Sequence, residues 1–119
     1  MRFSEWKSLE TISTMAPNDG GLFQIKVREG LLNYPTGKSA MFYYGFAINL
    51  NRGLLKFQNE ILPLLEISTD ALVIRWMSAA DFETRFQSLL NSFVSNFGAL
   101  PLGNAMLLQK KEVLPTSNL

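Results

Sequence analysis

Apolar and polar positions change period several times along the chain, and each change marks an expected element. Phe3, Trp6, Leu9 and Ile12 recur every three residues, Ser4 is a good N-cap and Glu5 suits a first turn, which predicts an amphipathic helix over residues 4–15. The run Ala16-Pro17-Asn18-Asp19-Gly20-Gly21 ends it with dense turn chemistry. From Leu22 to Arg28 the chain alternates, with Phe23, Ile25 and Val27 opposed to Gln24, Lys26 and Arg28, the pattern of a half-buried strand. After a connection containing Tyr34-Pro35-Thr36-Gly37, the uncharged aromatic run Ala40 to Tyr44, bounded by Gly45, predicts a central strand that forms a hairpin with the first.

Beyond Gly45 the period becomes helical. Leu50, Leu54, Phe57 and Ile61 share one face, and Pro63 prevents the helix from continuing far. Ala71 to Met77 reads as a third strand, and Ser78 with Asp81 three residues later resembles a capping box that opens another helix. That helix carries a stripe of Phe82, Phe86, Leu89, Leu90, Phe93 and Phe97, with Gly98 where a C-terminal cap belongs. Leu100 to Asn104 turns the chain back before the short apolar run Ala105 to Leu108, and residues 109–119 have the composition of a flexible tail. The expected fold is α+β: a small three-stranded antiparallel sheet flanked by helices, in one domain over residues 1–108.

Composition narrows the chemistry. A chain of 119 residues with 47% hydrophobic and 18% charged residues is large enough to bury a core without metal or disulfide support. It contains no Cys and no His, which excludes thiolate and imidazole zinc sites, cysteine nucleophiles and Ser-His-Asp triads. Charged residues, Pro or Gly interrupt every apolar run well short of a membrane span, and the first residues lack the apolar run of a secretory signal, so a cytoplasmic location is expected. The net charge of +1 gives no bulk attraction to nucleic acid, so any phosphate contacts must come from a local group such as Lys26, Arg28 and Lys38.

Gly37-Lys38-Ser39 ends like a phosphate-binding P-loop, but Leu32 stands where that motif needs its first glycine, and a strand follows where it needs a helix. The residues are better read as a hairpin connection.

The order of elements carries a second set of residues. Gly21-Leu22-Phe23 precedes Tyr43-Tyr44-Gly45, then Ala47 and Asn49-Leu50 enter the next helix, and Phe97-Gly98-Ala99-Leu100-Pro101 with Asn104 closes the segment. In this order the residues resemble the GIY-YIG nuclease domain, over residues 21–104. The resemblance implies Mg²⁺-assisted phosphodiester hydrolysis, in which a carboxylate holds the ion, tyrosines assist the water and an arginine binds phosphate. Tyr43 and Asn104 keep their types. The first motif's tyrosine is Phe23, the lysine after the second motif is Phe46, and the helix arginine falls on Gly53 beside Arg52. The metal-binding glutamate falls near Phe86 or Gln87, with Glu83 the nearest acid.

Two readings follow from this resemblance. The first is a nuclease-like domain with an eroded active site that binds DNA or a DNA-processing protein and needs no cofactor. The alternative is a divergent Mg²⁺-dependent endonuclease using Tyr43, Arg52, Glu83 as metal ligand, and Asn104. A regulator that binds protein alone also suits the neutral charge balance.

Overall fold

In the computed structural model, which describes residues 2–113 with side chains placed through Lys110, strand β2 (Gly21–Val27) is the axis of the sheet. It pairs antiparallel on one side with the seven-residue strand β5 (Met41–Ala47) and on the other with β6 (Leu72–Ser78). The registers place Phe23 opposite Gly45 and Trp76, and Gln24 opposite Tyr44 and Arg75. Side chains alternate across a strand, so these two rows face opposite sides of the sheet.

The expected three strands are joined by a fourth. A two-residue strand β1 (Lys7–Ser8) adds to the outer edge of β6, giving the order β1–β6–β2–β5. The connection between β2 and β5 also folds, as a separate hairpin of β3 (Leu32–Tyr34) and β4 (Gly37–Ser39). Gly37-Lys38-Ser39 is therefore strand, followed by strand, with no phosphate-wrapping turn into a helix.

The opening helix over residues 4–15 does not form. Its period of three is overridden by pairing with β6: Ser4 N donates to Trp76 O at 2.7 Å, and Trp76 N donates to Ser4 Oγ at 3.1 Å. Residues 2–6 instead run extended over the sheet, and the Arg75 guanidinium lies between Phe3 and Trp6, 4.4 and 4.6 Å from their ring centres. Only then does the chain coil, as a 3-10 turn (Leu9–Thr11) and the single-turn helix α1 (Ile12–Met15), which bury Leu9 and Ile12. Backbone propensity is weak beside such tertiary contacts.

One side of the sheet carries the main core. Phe23, Ile25, Ile74 and Trp76 meet Leu50 and Leu54 of helix α2 (Leu50–Lys56), then Phe57, Leu62 and Leu65, all buried. Asn49 caps α2, its Oδ1 accepting from Arg52 N at 3.0 Å. The helix widens into a π turn (Phe57–Ile61) and tightens to a 3-10 turn (Leu62–Leu65) containing Pro63.

Helix α3 (Phe82–Phe97) covers the other side. Its aromatic stripe faces inward as the period requires, but only Phe93 is fully buried; Phe82, Phe86, Leu89 and Leu90 border clefts. Gly98 ends it in the left-handed conformation at φ 79°, its N–H donating to Val94 O, which is the expected cap. The expected capping box is absent: Ser78 is the last residue of β6, and the N-cap Asp81 accepts from Arg85 Nε at 2.8 Å instead of capping backbone amides.

Helix α4 (Leu102–Val113) follows the buried Pro101, so residues 109–113 of the expected tail are helical. Residues 114–119 lie outside the described structure. Among the described residues no helix is long and apolar enough to cross a membrane.

Candidate functional site

Beside the β5 edge a cleft of about 230 Å³ opens between α2, α3 and α4. Its floor is Phe23, Tyr43 and Gly45 from the sheet, and its walls are Phe57 and Gly53 on one side with Phe46 and Phe86 on the other. Asn104 closes one end. Residues that are up to 81 positions apart in the chain, and that carry the nuclease resemblance, thus border a single concavity.

Tyr43 is half-buried against Phe57, with ring centres 4.5 Å apart, and stacks more loosely on Phe23 at 6.0 Å. Burial pushes its phenol above the ordinary value, since leaving water disfavours the phenolate. A phenol so placed gives up its proton reluctantly.

Asn104 has a structural duty. Its Oδ1 accepts from Tyr44 N and its Nδ2 donates to Tyr44 O, both at 2.9 Å. The side-chain amide thus continues the sheet's ladder for one residue beyond the edge strand, which fixes α4 to β5.

Gly53, where the resembled family places its phosphate-binding arginine, faces the sheet so closely that a β-carbon there would collide with Ala47 Cβ. Any side chain would push α2 away. The cleft's cation is Lys56, one turn further along the same helix. Sequence reasoning did not single it out, although the three-residue offset from Gly53 puts both on one helix face.

Arg52 and Glu83 are placed elsewhere. Arg52 is exposed on the first turn of α2 and is not among the residues lining the cleft. Glu83 belongs to the solvent face of α3, in a polar stripe with Thr84, Gln87 and Asn91. The structure therefore brings Tyr43 and Asn104 together and leaves the other two members of the suggested catalytic set outside.

The cleft does not suit Mg²⁺. That ion takes hard oxygen ligands and is held by carboxylates. Among the described residues the cleft is lined by no Asp or Glu, its one charged group there is the cation Lys56, and the Asn104 amide is already engaged on both atoms. Among the described residues no three of His, Cys, Asp and Glu stand close enough to share a metal ion.

The other suggested phosphate contacts are dispersed into separate duties. Lys26 Nζ sits 4.5 Å from the ring centre of Trp6, and Arg28 Nε donates to Asp70 O at 3.0 Å. Lys38 is exposed on β4, opposite Asn33. Trp76 is core, and Trp6 is half-buried as the platform between Lys26 and Arg75.

Comparison of the chain with protein-family models, with curated proteins and with solved structures gave no match.

Proposed function

We propose that this chain is a GIY-YIG nuclease-like domain whose reactive groups have been replaced, and that it serves as a binding module for DNA or for a protein that handles DNA. One observation carries the reading. The positions that resemble the family's catalytic set border one cleft, yet they present Phe23, Phe46, Gly53 and Phe86, with Tyr43 and Asn104 as the remaining polar pair. Such a surface offers flat aromatic faces and one cation, which suits stacking and a single phosphate contact better than hydrolysis. Fold alone does not define function, so the argument rests on the site. Against the enzyme reading stands the lining itself, because Glu83 and Arg52 point the suggested chemistry away from Tyr43.

The test has two arms. Purified protein with Mg²⁺ or Mn²⁺ is expected to leave duplex DNA, single-stranded DNA and RNA uncut above background. Cleavage that disappears in both Tyr43→Phe and Glu83→Gln would establish the endonuclease instead. In the binding arm, fluorescence anisotropy with a labelled DNA is expected to give weak affinity. A site making a single phosphate contact should weaken by only about three- to fourfold between 50 and 200 mM salt. Lys56→Ala is expected to reduce that affinity, and its having no effect would remove the cleft from the binding surface.

A further inference from the structure

On the opposite side of the sheet from the main core, a second concavity of about 500 Å³ lies between the extended N-terminal segment, β6 and α3. Three arginines line it, one from each element: Arg2, Arg75 and Arg85. Among the described residues that line it there is no carboxylate; Phe3 and Leu89 supply apolar wall, and Ser88 a hydroxyl. Three of the chain's eleven Lys and Arg thus converge on one pocket in a protein of net charge +1.

Two of these guanidiniums are held in place. Arg75 Nε donates to the buried Gln24 Oε1 at 2.7 Å, and its plane lies between the Phe3 and Trp6 rings. Arg85 Nε donates to Asp81 Oδ1 at 2.8 Å. Both residues are anchored through Nε, which leaves the terminal Nη groups of each fork for another acceptor. Burial also acts on Arg75, lowering its pKa from the ordinary value by taking the cation out of water. A cation held partly out of water is stabilised by a bound anion.

From this arrangement we infer that the pocket is an anion site for a phosphate monoester of nucleotide size. Charge selects the monoester. Among the described residues, three guanidiniums less the Asp81 carboxylate leave +2, which matches a monoester carrying about −2 at neutral pH and exceeds a carboxylate or a backbone phosphodiester at −1. Size and walls select the rest of the ligand, since small-molecule sites span about 300–1,000 Å³ and combine apolar walls with a few convergent polar groups. Lys56 and Tyr43 line the other cleft, so the two sites are independent.

Isothermal titration calorimetry on the full chain tests this with a nucleoside 5′-monophosphate, its parent nucleoside, and the methyl ester of the same monophosphate. The monophosphate is expected to bind, the nucleoside not to bind, and the singly charged methyl ester to bind at least roughly tenfold more weakly. Arg2→Gln and Arg85→Gln, both near the surface, are each expected to weaken the monophosphate by about tenfold or more, the scale of a lost charged hydrogen bond. Arg75→Gln should abolish binding, with a thermal melt to verify folding; if it does not fold, the other two variants decide. Lys56→Ala should leave this binding unchanged. The inference is overturned if the monophosphate does not bind or the methyl ester binds equally well. It is also overturned if affinity survives Arg2→Gln and Arg85→Gln, or if Lys56→Ala removes it, which would place the anion in the cleft beside β5.

Discussion

Asn104 engages Tyr44 through both backbone groups, one bond accepted at Oδ1 and one donated from Nδ2, each at 2.9 Å. Sixty residues of chain separate the two partners, so the pair closes the domain as well as one strand edge. Asn104→Ala is expected to destabilise by about 2 kcal/mol, for two lost hydrogen bonds at a part-buried site. Asn104→Asp should cost at least as much at neutral pH, because a carboxylate has no donor for Tyr44 O. Urea unfolding checks both, as a lower midpoint with unchanged slope.

Phe23 and Gly45 define a second coupling. They are opposite each other in the register, and a β-carbon on Gly45 would collide with the end of the Phe23 ring. Gly45→Ala is expected to cost about 1–3 kcal/mol through overpacking. In a Phe23→Leu background the same change should cost less, and a double-mutant cycle should return a coupling above about 0.5 kcal/mol. Additive effects would show that the ring moves aside freely.

On α3 the two central phenylalanines should differ. Phe93 is buried at 3% exposure and meets the rings of Tyr34, Tyr44 and Phe97, whereas Phe86 is only half-buried beside Phe46. Phe93→Ala is expected to cost about 3–5 kcal/mol, the usual range for a buried phenylalanine. Phe86→Ala should cost clearly less, and thermal melts of the two variants would rank them.

All three tyrosines of the chain, Tyr34, Tyr43 and Tyr44, have phenols raised above the ordinary value, with burial the largest cause in each. A folded-state pKa above the unfolded one contributes stability that is fully present below about pH 10 and is lost as pH rises through the folded value. Tyrosinate absorbance is therefore expected to develop late and to coincide with alkaline unfolding followed by circular dichroism. A phenol titrating reversibly near pH 10 in the folded protein would contradict this.

Much of this architecture was legible because local and tertiary preferences agree. The alternation from Leu22 to Arg28, the apolar run after Ala71 and the stripe from Phe82 to Phe97 closed by Gly98 all name the elements that form. The N-terminal segment was misread because Phe3 and Trp6 keep helical spacing while their rings are used one by one against Arg75. The β3–β4 hairpin was missed because it has little apolar alternation; Tyr34 holds it by donating to Met41 O and accepting from Leu102 N. Of the positions named through the ordered resemblance, Phe23, Tyr43, Phe46, Gly53, Phe86 and Asn104 border one cleft, whereas Lys56 was not among them. The arginine pocket left no trace in the sequence, since positions 2, 75 and 85 meet only after folding.

The amide clamp of Asn104 also bears on how this domain meets its own copies. An uncovered sheet edge is a template for strand addition, the first step toward fibres. Asn104 occupies the middle of the β5 edge, and α4 enters so closely that a β-carbon on Gly103 would stand 2.8 Å from Phe42 O. At the other edge Ser4, Lys7 and Ser8 occupy β6. An incoming strand would have to displace a helix on one side and on the other would find only the two-residue β1, so the contacts that close the fold also leave little edge for strand addition.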